Sequence, residues 1–415
     1  MIDLRLLRDD VGSFAELIGR RGIDRETVDR MAELDERRRA LVTQVDSLRA
    51  EQNTRSRAIG TAPAEQRQEL ITAAAELKEP LRLAEEELEE VAADLAEVLA
   101  RVPNLPHPDA PLGGEDDSVE LRREGEPPGF DFPVRDHVEL MEPVGALDLA
   151  RGAKVSGSRF YYLKGEGALL EFALVRYALD IAMDHGYVPV IPPVLVRREA
   201  MYGTGFLPTD EQQIFVTRDD DLYLVGTSEV PLAGLHLDEV IDVPLRYAGF
   251  STCFRREAGT YGRDTRGMFR VHQFDKVELF SFVAPEESST EHERILAIEE
   301  QIIGGLGLHY RVVDIAVGDL GASAARKFDI EAWLPGQQAY RELTSCSNTT
   351  DFQARRLRIR SRGAAGSALV HTLNGTALAV ARSIIALVET HQREDGTVAV
   401  PDALQPYLGR DTLFA

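Results

Sequence analysis

Six cations fall within the stretch FRREAGTYGRDTRGMFRVHQFDKVEL, residues 254–279: Arg255, Arg256, Arg263, Arg266, Arg270 and Lys276. They stand in a chain of 415 residues whose 47 Lys and Arg face 70 Asp and Glu, a net charge of −23. Two carboxylates, Glu257 and Glu278, lie near the ends of the stretch. Apolar and polar residues alternate through GFSTCFRRE as far as Glu257, and again from Val271 through VHQFDKVELFSF, the period of a half-buried strand. The intervening AGTYGRDTRGMFR holds Gly259, Gly262 and Gly267 and reads as a flexible loop. The expected unit is a hairpin, with Arg255 and Glu257 sharing one face and Phe274, Lys276 and Glu278 sharing a face of the partner strand. A guanidinium beside a flat ring and two carboxylates suits a nucleoside triphosphate: the fork holds phosphates, the ring stacks on a base, and the acids accept base or sugar donors. A surface hairpin with exposed ion pairs fits the same pattern equally well.

Composition narrows the rest. A chain this acidic is no general polyanion binder, so contact with nucleic acid must run through local basic patches. The chain has no GxxxxGK[ST] motif, which argues against a P-loop, and no repeats. Its two cysteines, Cys253 and Cys346, form no CxxC, which argues against a disulfide framework or a zinc site and suits a reducing compartment. The opening residues MIDLRLLRDDVG are too charged for a signal peptide, and no stretch approaches the roughly 18 apolar residues of a membrane span. A cytoplasmic location and no membrane contact are expected.

Two elements must position the cationic strip. Residues 31–100 carry a largely apolar seam at alternating spacings of three and four, as in Met31, Leu34, Arg38, Leu41, Val45 and again Leu77, Leu81, Ala84, Leu88. This is a coiled-coil signal, interrupted by Gly60-Thr61-Ala62-Pro63, and it predicts an antiparallel helical hairpin projecting roughly 40 Å. Pro80 is expected to kink its second helix. Residues 47–58 carry net +2 and residues 81–100 net −6, so the tip half is the cationic half; a solvated helix face explains those charges as well. Residues 106–135, rich in Pro, Gly and acids, read as a linker. From residue 136 onward the pattern is globular: a helix over 168–185 stopped by Gly186, a strand YVPVIPPVLV, and strands in YLVGTSEVPL and the hairpin. Strands without alternating helices predict an α+β fold with an antiparallel sheet flanked by helices.

Three motifs carry a resemblance. F254-R255-x-E257 followed by R270-xxx-F274-xxx-E278 resembles motif 2 of the class II aminoacyl-tRNA synthetases. G186-Y-x-x-V190-x-x-P193 after a long helix resembles motif 1, and N374-G-T-A-L-A-V-A-R382 resembles motif 3, with Ala377 and Ala381 where the family often has glycine. The arm, TSE at 227–229 and RELTSCSNTTDFQARR at 341–356 are similar to the seryl-tRNA synthetase family specifically, over essentially the whole chain. The implied organisation is an N-terminal tRNA-binding domain at 1–105, the linker, and a class II catalytic domain at 136–415.

The resemblance also implies an activity and roles. Serine and ATP would give seryl-adenylate, and the seryl group would pass to the 3′ end of tRNA(Ser), and by the same resemblance of tRNA(Sec). Arg255 and Arg382 would be the catalytic cations on the α- and γ-phosphates. Arg256, Glu257, Val271, Phe274, Glu342, Leu343, Thr344 and Ser345 would complete the ATP site, with Glu342 and Ser345 as oxygen ligands of Mg²⁺. Thr227, Ser228, Glu229, Glu278 and Thr376 would receive L-serine; a pocket that hydrogen-bonds a hydroxyl rejects analogues lacking it, because its polar groups are then left unpaired. Arg49, Arg55 and Arg57 would meet tRNA, and motif 1 implies a homodimer. Three rivals remain: a synthetase for another amino acid, a synthetase-like ligase charging a carrier protein, and a coiled-coil interaction protein with an inert globular half.

Overall fold

The computed structural model describes residues 1–260, 262, 264, 266–363 and 366–415; Arg263 of the cationic strip lies outside them. The chain forms two compact units, Ile2–Val102 and Pro103–Ala415, the second together with Met1.

In the first unit, two short helices, Leu4–Asp9 and Val11–Gly19, precede the hairpin. Helix α1 (Arg25–Thr61) begins behind Asp24, whose carboxylate accepts the Thr27 N–H at 2.8 Å. Its 37 residues span roughly 55 Å at 1.5 Å per residue, longer than the expected arm because it starts six residues earlier. Helices α2 (Ala64–Glu76) and α3 (Lys78–Arg101) return antiparallel, as the ion pairs Arg30–Asp94, Arg37–Glu87 and Arg49–Glu85 show by their opposed numbering. The expected break falls at Leu77, one turn before Pro80. A proline clashes with the carbonyl four residues back, here that of Glu76, where α2 ends. Met31, Leu34, Leu41, Val45, Leu81, Ala84, Val91 and Leu95 are buried, whereas no described residue between Leu48 and Leu77 is.

The second unit is built on an eight-stranded sheet. Its elements in chain order are β1 (Val119–Glu124), α4 (Glu166–Asp184), β2 (Val188–Val190), β3 (Leu245–Phe254), β4 (Gln273–Val283), α5 (Ser288–Gly305), β5 (Tyr310–Asp314), β6 (Arg326–Leu334), β7 (Ala339–Thr350), β8 (His371–Ala379) and α6 (Val380–Thr390). The strand order is β1-β5-β6-β7-β8-β4-β3-β2, antiparallel throughout except that β2 runs parallel to β3 at the edge. Helix α4 ends as expected at Gly186, which takes φ +83°. The apolar faces of α4, α5 and α6 share one core with the central strands.

Four expectations are corrected. The segment read as a linker is largely part of the second unit: β1 pairs with β5, His107 N–H donates to the Ala325 carbonyl, and the Val317 N–H donates to the Pro111 carbonyl. Its Pro and Gly content marks a non-helical path along the sheet, not freedom from it. TSEVPL is no strand: β-structure stops at Leu224 and a short helix occupies Glu229–Gly234. The hairpin strand ends at Phe254, before Arg255 and Glu257, and Glu257 leaves the extended region at φ +50°. YVPVIPPVLV likewise divides into β2 and a second short strand, Leu195–Arg197, around Pro192 and Pro193, which lack donors.

Candidate active site

A cavity of about 390 Å³ lies on one face of the central sheet. Strand alternation separates it from α5. Thr376 of β8 lines the cavity, whereas its neighbour Gly375 faces α5 so closely that a Cβ would stand 2.3 Å from Ile295 and 2.6 Å from Glu299 Oε1. From β4, Phe274 and Lys276 face the cavity and Glu278 lies beneath it, fully buried. On β7, Glu342 and Ser345 are three residues apart and would face opposite sides of a regular strand. A bulge at Leu343 turns them to one side, with Glu331 opposite Glu342 and Ile330 opposite Thr344.

One end of the cavity is small and anionic. Glu278 forms an ion pair with Lys276 and accepts from Thr227 Oγ1 at 3.1 Å and Asn374 Nδ2 at 3.2 Å. Thr227 Oγ1 in turn accepts the Glu229 N–H. Glu229 has no cation in hydrogen-bond contact among the described residues; its Oε1 accepts from the Gln353 amide at 2.7 Å. Burial first, and the neighbouring Glu278 second, push the Glu229 carboxyl up to about 7.

The other end is cationic. Arg255 lies over the Phe274 ring, its guanidinium carbon 5.3 Å from the centroid, and donates Nε–H to the Gly226 carbonyl. Arg382, in the first turn of α6, donates to the Glu342 carbonyl at 2.8 Å. The Phe269 ring lies between Arg341 at 4.0 Å and Arg382 at 4.7 Å. Arg270 donates to Glu257 Oε2 at 2.7 Å. Burial opposes ionisation of Glu342, but Lys327, Arg382 and Arg255 outweigh it and hold its carboxyl down to about 2. The arrangement offers two carboxylates for an ammonium or hydroxyl at one end. At the other it offers an arginine cluster, beside an aromatic face, for phosphates.

Comparison with known proteins adds an identity to this geometry. The family description "Seryl-tRNA synthetase N-terminal domain" matches residues 1–106, and "tRNA synthetase class II core domain (G, H, P, S and T)" matches residues 214–391. A serine–tRNA ligase of Acidothermus cellulolyticus is 54% identical over 100% of this chain and 99% of its own length. One from Nocardia farcinica is 53% identical over 100% and 99%. The chain belongs to the seryl-tRNA synthetase family. The crystal structure of the seryl-tRNA synthetase from Pyrococcus horikoshii complexed with ATP superposes with a TM-score of 0.92 at 41% identity, covering 100% of this chain and 99% of that one. A cytoplasmic serine–tRNA ligase from Naegleria fowleri in complex with AMP gives 0.88 at 34% identity, covering 100% and 98%.

In this seryl-tRNA synthetase relative, most residues expected at the site line the cavity: Thr227, Glu229, Arg255, Glu257, Val271, Phe274, Glu342, Leu343, Ser345, Thr376 and Arg382. Four side chains do not, Glu278 among them, which lies buried beneath it. Ser228 Oγ bonds Ser251 Oγ at 2.7 Å inside the core, and Arg256, the outward neighbour of Arg255, is exposed. Thr344 turns away below the sheet and donates to Glu299 Oε2 at 3.3 Å, the side to which the bulge assigns it. In the arm, Arg49 bonds Glu85 at 2.7 Å and Arg55 is engaged by Glu51 and the Ala73 carbonyl, so both close the hairpin itself. Arg57 is exposed. The sequence reading missed Phe269, Lys327, Asn374 and Gln353. Lys276 was visible as the alternation partner of Phe274; Gln353, in the short helix Phe352–Leu357, gave no signal of its own. Cys253 and Cys346 are free and buried, as core residues should be. His272 Nδ1–H donates to the Arg255 backbone carbonyl at 2.9 Å, a structural contact.

Proposed function

We propose that this chain activates L-serine with ATP to seryl-adenylate and pyrophosphate, then transfers the seryl group to the 3′-terminal ribose of tRNA(Ser). The observation that carries the reading is one cavity with Glu229 at one end, Glu278 buried directly beneath that end, and Arg255, Arg270 and Arg382 at the other. A serine zwitterion fits it in one sense. Its ammonium goes to Glu229, the carboxylate without a cation partner, and its hydroxyl to the Glu278, Thr227 and Thr376 group. Its carboxylate is left facing Arg255.

Adenine is assigned to the Phe274 face and Val271, with Glu257 accepting from the amino group in place of part of its bond to Arg270. Arg255 holds the α-phosphate and Arg382 the γ-phosphate. A serine carboxylate oxygen then attacks the α-phosphorus while the bond to the bridging β-phosphate oxygen breaks and pyrophosphate leaves. In the second step a terminal ribose hydroxyl attacks the seryl carbonyl carbon and AMP leaves. No side chain is a nucleophile; the protein positions two anions against each other and screens their repulsion.

Mg²⁺ fits the same reading. Glu342 and Ser345 present hard oxygens on one face, and among the described residues no group of three or more His, Cys, Asp or Glu side chains could hold an ion by itself. Those two residues would hold a Mg²⁺ carried by the triphosphate, whose charge would screen the phosphate oxygens.

The reading extends to three further points. Leu169 and Phe172 on α4 with Val188 and Ile191 at the sheet edge are exposed apolar residues, which supports a homodimer through this face; sedimentation tests it. The exposed cation Arg57 is the arm's candidate for tRNA contact, and charging of tRNA(Sec) is tested with that tRNA. Free buried cysteines support a cytoplasmic location; no described helix is long and apolar enough to cross a membrane. Serine-dependent ATP–pyrophosphate exchange followed by tRNA charging is the deciding experiment. Exchange with another amino acid, or charging of a carrier protein but not tRNA, would overturn the reading.

A further inference from the structure

Glu229 is oriented by a residue that never reaches the cavity. Gln353 is fully buried in the short helix Phe352–Leu357, and its Nε2 donates to Glu229 Oε1 at 2.7 Å and toward the Thr204 carbonyl at 3.4 Å. Its Oε1 accepts from Thr372 Oγ1 at 2.9 Å. Thr372 is itself fixed, since Thr349 Oγ1 donates to the Thr372 carbonyl at 2.7 Å. Two acceptors on one side of the amide and a hydroxyl on the other define which end is nitrogen, so Gln353 has one satisfied orientation.

We propose that Gln353 is a positioning residue for serine recognition: it aims the Glu229 carboxylate at the substrate ammonium and keeps it available as an anion. The inference rests on the assignment of Glu229 to serine above. The charged groups facing Glu229 are Glu278 and Lys276 on β4 and Arg255 after β3. Burial and Glu278 favour its neutral form. Gln353 is the foremost group favouring the anion, ahead of Lys276 and Arg255. A neutral Glu229 accepts an ammonium poorly, so loss of the amide donor acts on serine and not on ATP, whose contacts lie at the other end of the cavity.

The test is pyrophosphate exchange between pH 6.5 and 9 with Gln353→Met, which keeps length and removes all three of the amide's hydrogen bonds. Loss of a charge-assisted hydrogen bond is expected to raise the serine KM about tenfold at pH 7.5, with the ATP KM within about twofold. The pH below which the serine KM climbs moves upward, and the defect narrows toward pH 9. Thr372→Val, which leaves the helix untouched and removes the hydroxyl's contacts with the amide oxygen and with Thr349 Oγ1, is expected to raise the serine KM in the same sense by a few-fold, and it decides the matter if Gln353→Met does not fold. An unchanged serine KM and pH profile in the folded variants overturns the proposal, as does a parallel rise of both KM values. Absence of serine-dependent exchange in the wild-type chain overturns instead the functional reading beneath it.

Discussion

Lys276 and Glu278, two residues apart on β4, face the same side of the sheet and form an ion pair almost wholly removed from solvent. The pair neutralises one of the two carboxylates at the serine end and leaves Glu229 as the other. Glu278 is thereby cast as an acceptor for a hydroxyl held through Thr227 and Asn374, a neutral contact suited to serine's side chain. Glu278→Gln is expected to raise the serine KM by at least tenfold while the ATP KM changes little. It also strands Lys276: breaking one side of a buried pair costs about 3–5 kcal/mol of stability. Lys276→Met combined with Glu278→Gln should recover much of the melting temperature without recovering serine affinity. Steady-state kinetics and thermal melts of both variants check this; an ATP KM that rises while the serine KM stays fixed would move Glu278 to the nucleotide.

Arg255 and Arg382 are the residues proposed for the triphosphate. Arg255→Ala and Arg382→Ala are each expected to lower pyrophosphate exchange by about two decades, or about 3 kcal/mol, the scale of one charge-assisted contact in a desolvated site. Arg382 also rests on Phe269 and the Glu342 carbonyl, so its removal should loosen that corner more than removal of Arg255 does. A folded variant of either that exchanged at near wild-type rate would contradict the assignment.

Glu299, on α5 beneath the cavity, is fully buried with Oε2 bonded to Thr344 and Oε1 without a partner among the described residues. Burial above all, then Glu278, raises its carboxyl well above the ordinary range, so the folded chain keeps it protonated where the unfolded chain has lost that proton. Folding then binds the extra proton, and stability from this site falls as pH rises above the unfolded carboxylate range, by about 1.4 kcal/mol per pH unit until the folded group ionises. Glu299→Gln keeps the shape and removes the titration. Relative to wild type, its denaturant midpoint is expected to improve steadily from pH 5 to pH 7.5; a constant difference across that range would mean that Glu299 is already ionised.

How far the sequence reached follows from the kind of signal each residue leaves. Alternation placed Phe274, Lys276 and Glu278 on one face because β4 is regular there. Glu342 and Ser345 were paired by resemblance alone: their spacing of three contradicts a strand, and only the bulge at Leu343 reconciles them. Thr344 was misplaced for the same reason. Gln353 and Glu299 lie behind the site on helices distant in the chain, and nothing in a helical pattern distinguishes a buried amide or acid from a solvated one. The false linker erred by treating Pro and Gly as freedom: His107, inside the Pro-rich run, donates its backbone N–H to the Ala325 carbonyl at 2.8 Å.

The arm's arginines divide by what they already hold. Arg49 is tied to Glu85 beside the buried Val45, Leu81 and Ala84, and Arg55 is tied to Glu51 and the Ala73 carbonyl in the half of the hairpin where no described side chain is buried. Arg57 is exposed, and its side chain makes no hydrogen bond or ion pair among the described residues. Arg57→Glu is therefore expected to raise the tRNA KM while leaving the serine and ATP constants and the arm's helicity unchanged. Its binding should depend less steeply on salt, by about one unit in the log–log slope for one lost phosphate contact. Arg49→Glu is expected instead to lower the arm's melting temperature and to weaken tRNA binding through that loss of order, with restoration by Glu85→Arg in the double variant. The seam of the lower half is buried within the first unit itself, so replacing residues 31–100 by a short linker should spare serine activation and remove tRNA charging. An armless enzyme that still charged tRNA at normal efficiency would show that the acceptor end alone suffices for recognition. An Arg57→Glu variant with an unchanged tRNA KM and salt slope would show that the arm reads RNA through shape and not through this charge.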